Sequence, residues 1–513
     1  MRCEGHTNVL SNDFARLLPE LSVPWQAEEP IDPTLLVLND GLAIDLGLDP
    51  EHLRSDEGIR WLLGADPEPG SQPVAQLYAG HQFGSYVSRL GDGRALLLGE
   101  IRDANGRAWD LHLKGSGKTP FARADGRAAV GPMLRESLMG EAMHALGVPT
   151  TRALAVIATG RRVIRDDALP GAVLTRVASS HLRIGSFQFA RSTGDLALLG
   201  RLVDLAVDRH LGEDAGSLGD PGSSDASDGP QAPDRARRLL RHVIEVQADL
   251  VASWMLLGFV HGVLNTDNVT ISGETIDYGP CAFIDAYDPA AVFSSIDHAG
   301  RYAFGNQPAI TLWNLTRFAE MLLPLLSDDE ATASEIATAE LTRFSARYER
   351  AWVEGMGAKL GLAGDIGVAP VAGGEGSGSR FDLTAELAGA ILGELQRHRI
   401  DFTQFFRALA DAARGRRVAL LDLYPSGAAP GEWLGRWLDL APDADRMDAV
   451  NPVYIPRNHL VDEALEAASA GDLSLYERLV EVLAHPFEAR PGLERYAVGA
   501  APGSAPHRTY CGT

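Results

Sequence analysis

The stretch that most restricts how this chain can fold is HGVLNTDNVTISGETIDYGP, residues 261–280, together with the helical pattern leading into it. From about 235 to 260, Leu239, Leu240, Val243, Ile244, Val251, Trp254 and Leu257 recur at helical spacing. The helix becomes apolar nearly all round, as a helix at the centre of a domain does. Directly after it come Asn268 and Asp277, two side chains whose oxygens suit a hard cation. Between them VTI, Ser272-Gly273 and ETI predict a tight hairpin that brings the pair back together. A buried helix that ends in two converging oxygen ligands is the pattern of an enzyme's interior.

Composition narrows the class. With 513 residues the chain can bury a large core. At roughly 150 residues per domain it holds about three folding units, or a two-lobed enzyme with extensions. The net charge of −23 argues against nonspecific binding to nucleic acid or to an anionic membrane. It leaves room for a local cluster of Arg and Lys around a nucleotide, and it points to a monomer. No apolar run approaches the roughly 18–20 residues that span a bilayer. The start, MRCEGHTNVLSNDF, lacks the basic and apolar regions of a signal peptide. Three cysteines, Cys3, Cys281 and Cys511, make neither a disulfide framework nor a zinc site, so a cytoplasmic location is expected.

Along the chain, residues 1–75 read as an irregular extension. From 76 to 185 strands dominate: 94–101 and 107–114 form a hairpin around Ala104-Asn105-Gly106, followed by a helix at 131–146 closed by Gly147. Further strands are expected at 153–159, 161–165 and 171–178. Residues 213–234 are acidic and rich in Gly, Ser and Pro, an expected disordered insertion between helices, and 361–380 is a second flexible break. The remainder, to about 485, is helical in pattern.

Several motifs carry chemistry. Gly117-Lys118-Thr119 invites a P-loop reading, but the first Gly of that motif is replaced by His112, and Pro120 blocks the helix that should follow. Lys114, at a strand end, with Glu136 or Glu141 on the next helix, matches the way kinase-like folds fix a cation against phosphates. Gly91 and Gly93 flank a turn that lets backbone amides approach phosphate, and Asp125-Gly126 is a similar turn. Arg176 and Arg183 flank VASSHL between the two halves, each a forked donor for phosphate oxygens. A kinase places its catalytic Asp two residues after the loop His and its metal-binding Asn five residues later. Here His261, Val263 and Asn268 occupy those places, and Asp277-Tyr278-Gly279 stands for Asp-Phe-Gly. The proton acceptor is missing at 263, and the carboxylate left in the loop is Asp267.

The order of elements predicts an α+β, two-lobed protein-kinase-like fold: an N-terminal extension (1–75), a nucleotide-binding small lobe (76–185) and a large lobe with the catalytic loop (186–360). The break at 361–380 and a C-terminal helical extension with a Cys-bearing tail (381–513) complete it. Two functions fit these residues by themselves: conventional phosphotransfer with Asp267 as the acid, or a non-catalytic pseudokinase that only binds nucleotide.

Runs such as YAGHQFGSYVSRLGDGRALLLGEI, LHLKGSGKTPFARADGRA, PGAVLTRVASSHLRIGSF, HGVLNTDNVTISGETIDYGPCAFIDAY and NPVYIPRNHLVDEAL resemble the selenoprotein O family of kinase-like protein adenylyltransferases. The resemblance runs from about residue 78 to 465. It implies ATP bound in flipped orientation, with AMP transferred to Ser, Thr or Tyr hydroxyls of protein substrates and pyrophosphate released. It implies that Lys114, Arg176 and Arg183 hold phosphates and that Glu136 orients Lys114. Gly91, Gly93, Arg94, Asp125, Gly126 and Asp277 would be further nucleotide contacts. Asn268 and Asp277 would hold Mg²⁺, with Mn²⁺ as the alternative, and Asp267 would be the general base. Lys118, a turn at 123–125 that looks one residue short, and the 213–234 insertion depart from the family pattern. The family's redox association suggests a reversible Cys281–Cys511 disulfide.

Overall fold

Alternating hydrophobic residues in the first 180 positions build one eight-stranded antiparallel sheet in the computed structural model, which describes residues 10–66, 71–212, 232–362, 380–501 and 503–510. In chain order the strands are β1 (Ser22–Pro24), β2 (Thr34–Leu38), β3 (Val74–Gln76), β4 (Gly80–Gln82), β5 (Ser85–Val87), β6 (Ala95–Arg102), β7 (Ala108–Lys114), β8 (Ala128–Ala129), β9 (Arg152–Ile164) and β10 (Ala168–Ala178). The sheet runs β1-β3-β6-β7-β10-β9-β2, with β8 on β10, while β4 and β5 form a separate hairpin. The predicted β6–β7 hairpin forms with Leu96 opposite Leu113 and Ala95 opposite Lys114. On β7's other side, Arg176 lies opposite His112 and Leu174 opposite Lys114.

The two faces of the sheet have different partners. Leu96, Leu98, Leu111, Leu113, Ile157, Val173 and Val177 pack with Leu42, Leu46, Leu53 and Leu62 of the N-terminal region. Leu97, Val156 and Leu174 face Met133, Leu134 and Leu138 of the Val130–Ala145 helix. Because side chains alternate along a strand, Asp110, His112 and Lys114 share this second face, and all three are buried.

Three expectations change. The N-terminal stretch expected to be irregular supplies β1 and β2 at the two ends of the sheet, in segments too short for a periodic pattern to register. The strands expected at 153–159 and 161–165 are one strand, β9, which passes through Gly160 at φ +72°. The expected 269–276 hairpin is a turn without a ladder of its own: Thr270 bridges to Arg183 and Thr275 to Thr150, so the backbone pairs with other segments instead of with itself.

After the sheet the chain is helical. The Ala232–Leu257 helix buries Leu239, Leu240, Val243, Ile244, Val251 and Trp254 in the core that also holds the Val130–Ala145 helix. A second core joins Val260 and Ile284 to Leu387, Ile391, Phe402, Phe405, Phe406, Trp433 and Trp437. Residues 213–231 and 363–379, the bulk of the two predicted breaks, lie outside the described residues. None of the described helices is long and apolar enough to cross a membrane.

One cation in this second core has no role in the site. Lys359 ends the Arg343–Lys359 helix fully buried, its ammonium 4.2 Å from the ring centre of Phe406, and burial pushes its pKa down to about 7. The unfolded chain keeps that proton up to its ordinary 10.5. Between pH 7 and 10 the unfolded state therefore binds more protons, and raising the pH favours folding. Lys359→Met is expected to stabilise the protein at pH 7 by a few kcal/mol, on the order of the 1.4 kcal/mol per pKa unit this desolvation represents. It should also flatten the pH dependence of denaturant midpoints between pH 7 and 9.

Candidate active site

Three cations converge on one carboxylate. Lys114, carried to the sheet's helix-facing side by the pleat of β7, donates to Glu136 Oε2 at 2.6 Å and to Asp277 Oδ1 at 2.5 Å. Arg176, from β10, donates to Glu136 Oε1 at 3.1 Å and to Asp277 Oδ1 at 3.0 Å. Arg183 Nη1 lies 3.8 Å from Asp277 Oδ2, and its guanidinium stacks 4.5 Å from the Tyr78 ring centre. Burial alone would raise the Asp277 pKa, but Lys114, Arg176 and Arg183 outweigh it and hold the carboxyl well below the usual range. Asp277 is ionised, and its backbone sits at φ +64°, a strained position for a residue with a side chain. Of the two candidate acids on the helix, Glu136 faces this cluster. Glu141 instead pairs with Arg152 at 2.6 Å and Asn39 at 2.8 Å.

Asp267 occupies a contrasting setting. It lies on the single 3₁₀ turn Thr266–Asn268, under the β4–β5 hairpin. Gln82 Nε2 donates to its Oδ2 at 3.3 Å, while its buried Oδ1 has no hydrogen-bond partner. Burial pushes its pKa up to about 6. Gly80 makes this approach feasible, because a Cβ there would sit 2.6 Å from Asp267 Oδ1. Asn268 spends its amide nitrogen on the Val263 carbonyl at 2.9 Å, which leaves its side-chain oxygen as the available ligand atom. Val263 is buried as part of the main hydrophobic cluster and also lines the cleft that these groups share.

These groups line a cleft of about 770 Å³ together with Gly91, Gly93, Arg94, Asp125 and Gly126. Every expected nucleotide-contacting and metal-binding residue is therefore on one cavity. Asp125 accepts both terminal nitrogens of Arg165, at 3.1 and 3.2 Å, and the Arg127 amide at 3.1 Å. Cys281 is fully buried, its thiol pKa pushed up to about 11 by burial, and its S–H lies 3.1 Å from the Tyr278 carbonyl. Cys511 lies outside the described residues, but Thr509 Oγ1 donates to the Pro280 carbonyl at 2.8 Å. Lys118, the P-loop decoy, is exposed and no helix follows it.

Reading the sequence missed the layer behind the cations. Asp92, taken only as a turn residue, accepts the Gln76 amide at 3.0 Å and lies 3.1 Å from His112 Nε2. Arg176 Nη2 is 3.2 Å from His112 Nδ1, so that nitrogen accepts, Nε2–H faces Asp92, and the ring is neutral. Burial also pushes the His112 pKa down. The period-two pattern of β7 put His112 beside Lys114, and that was the one available signal. Nothing in the local sequence flagged Tyr78, Gln82 or Arg165.

A buried cluster of cations, an ionised carboxylate and an amide oxygen in one cleft is the equipment of an enzyme acting on a polyphosphate. Comparison with known proteins narrows this further. A family profile described as protein adenylyltransferase SelO matches residues 8–484. Protein nucleotidyltransferase YdiU of Pseudarthrobacter chlorophenolicus is 56% identical over 508 residues, 99% of each chain. The protein of that name from a Mycobacterium species is 56% identical over 98% of this chain, and that from Mycolicibacterium smegmatis 54% over 98%. The chain belongs to the SelO protein adenylyltransferase family, and so to the nucleotidyltransferases.

The cleft wall depends on one left-handed glycine. Gly126 has φ +71°, and a Cβ on it would lie 2.3 Å from the Gly117 carbonyl oxygen, in a loop closed by the Gly117 amide donating to Gly126 at 3.1 Å. Gly126→Ala should cost about 2 kcal/mol or more, from the left-handed conformation and the backbone clash together. It should lower the melting temperature and move Asp125 off the cleft, weakening nucleotide binding in a thermal-shift titration.

Proposed function

We propose that this protein is a two-lobed, kinase-like adenylyltransferase that moves AMP from ATP to Ser, Thr or Tyr hydroxyls of other proteins and releases pyrophosphate. The observation that carries this reading is the location of the loop's acid. Position 263 is a core valine, so no carboxylate stands where a γ-phosphate donor's acceptor would be deprotonated. Asp267, with a buried and unpartnered oxygen, is next to the metal-binding amide instead. The strand-borne Lys114 paired to the helix-borne Glu136 supports the kinase-like fold.

With the triphosphate reversed, its α-phosphorus faces Asp267 and its β- and γ-phosphates lie toward Lys114, Arg176 and Arg183. The acceptor hydroxyl attacks the α-phosphorus, the bond from that phosphorus to the α–β bridging oxygen breaks, and Asp267 Oδ1 takes the hydroxyl proton. Negative charge accumulates on the departing pyrophosphate, where three fixed cations stabilise it without reorganising. Gly91 and Gly93 let the backbone approach the phosphates, with Arg94 beside them, and Asp125 and Gly126 form the nucleotide's outer wall.

The donors fit a divalent cation. Asn268 offers an amide oxygen and Asp277 an ionised carboxylate. Among the described residues no three His, Cys, Asp or Glu side chains cluster as a full protein cage. Two protein oxygens, with phosphate and water completing the shell, is the way Mg²⁺ is usually held. Bound there, Mg²⁺ (or Mn²⁺) would neutralise phosphate charge. We also propose that Cys281 and Cys511 form a reversible disulfide under a thiol oxidant, for which the Thr509–Pro280 hydrogen bond brings the tail to within one residue of Cys281.

ATP labelled on the α-phosphate should leave its label covalently on protein, whereas label on the γ-phosphate should leave as pyrophosphate; covalent γ-label alone would reverse the reading. Asp267→Asn should lower kcat about 10²–10⁴-fold, as loss of a general base does. Asp277→Ala should abolish the gain in ATP affinity that Mg²⁺ brings, read by calorimetry with and without the metal.

A further inference from the structure

The β4–β5 hairpin is joined by a two-residue loop, Phe83-Gly84, in which both residues have positive φ, +51° and +84°. Such a loop calls for Asn-Gly or Asp-Gly, because a bulky side chain in the left-handed region costs about 1–3 kcal/mol. Phe83 also stays 39% exposed, so it does not recover that cost fully by burial. Folding and solubility would both be served better by another residue, and the position is next to the chemistry.

The loop is fixed in place. The Phe83 amide donates at 3.0 Å to Asn265 Oδ1, the same oxygen that receives the Tyr302 hydroxyl at 2.6 Å. The Phe83 ring packs against Tyr302, with ring centres 5.2 Å apart and planes tilted by 59°. Gly84 closes over the Arg301 guanidinium, which lies 4.8 Å from the Trp313 ring centre. Gln82, the residue before Phe83, is the one that donates to Asp267. Phe83 lines the same cleft as Asp267. The result is a fixed aromatic surface on the wall of the cleft, one residue along the chain from the Gln82 that holds Asp267. A preformed aromatic surface gives apolar contact at little entropic cost.

We propose that Phe83 is a specificity-determining residue that contacts the protein acceptor, holding an apolar side chain of the acceptor segment against its exposed face while the hydroxyl reaches Asp267. This rests on the adenylyl-transfer reading. The apolar group is either the ring of an acceptor tyrosine or a residue flanking an acceptor serine or threonine. In both cases the recognised feature is local to a short segment.

The test is a randomised peptide mixture with a fixed central Ser, Thr or Tyr, incubated with ATP and Mg²⁺ and sequenced by mass spectrometry for AMP adducts. Wild-type enzyme should select Tyr centres over Ser and Thr centres, or apolar residues over Gly at one flanking position, by about tenfold, the scale of a single apolar contact. Phe83→Asn, which suits the turn, should remove the selection, raise KM for peptide and leave KM for ATP unchanged, with a melting temperature at or above wild type. Phe83→Tyr should retain the selection. Selection at the centre assigns the tyrosine ring, and selection beside Ser or Thr assigns the neighbour. Unchanged selection in Phe83→Asn, no selection by wild type, or no adduct on any peptide would overturn the proposal. Failure of the underlying reading looks different, as γ-phosphate adducts in place of AMP.

Discussion

The rest of the site depends on the ionised Asp277 carboxylate and the cations around it. Lys114 comes from β7, Arg176 from β10 and Arg183 from the connection leading out of the sheet, so one side chain of the helical half ties three points of the strand-rich half. Glu136 fixes Lys114 and Arg176 from the remaining direction. Desolvating so many charges offsets much of their mutual attraction, and a cluster of this kind is weak evidence for stability. What it secures is orientation: each cation is held by two or more acceptors before any phosphate arrives. A phosphate chain entering the cleft meets donors whose positions are already set, which is the condition under which electrostatic stabilisation is most effective.

The same loop holds two carboxylates pushed in opposite directions. Asp277 is drawn down by adjacent cations, whereas Asp267 is raised to about 6 by burial, with Gln82 as its one side-chain donor. Divergent environments of this kind fit the proposed roles: the permanently charged acid suits cation binding, and the acid poised near neutrality suits proton transfer. The hairpin over Asp267 maintains the difference. Gly80 lets the backbone close on the carboxylate, and Gln82 occupies one oxygen, leaving the other without a partner.

Much of this was legible in the sequence, for identifiable reasons. The period-two pattern of 107–114 placed Lys114 on the face with Asp110 and His112, and the 131–146 pattern placed Glu136 on a helix; the two side chains meet at 2.6 Å. The central helix could be read because it is long and its apolar residues recur at helical spacing. What could not be read was pairing across long separations. Asp92 with His112, Phe83 with Tyr302 and Arg165 with Asp125 are set by sheet register and loop closure, which leave no local trace. The 269–276 turn was misread as a hairpin because alternating β-branched residues signal extended backbone without saying which chain segment it will pair with.

The loop carries Val263 and, four residues on, Asp267. Val263 has its side chain in the main hydrophobic core, and its carbonyl accepts the Asn268 amide, so its backbone still anchors the loop while its side chain is unavailable for chemistry. Asp267 sits on the 3₁₀ turn, where the hairpin supplies one donor through Gln82 and the cleft supplies access. If Asn268 holds the cation as proposed, an acid at 267 adjoins it, and the phosphorus that acid can serve is one held close to the cation and not one at the far end of the chain of phosphates. On that proposal, the position of a single carboxylate bears on which phosphate bond is broken.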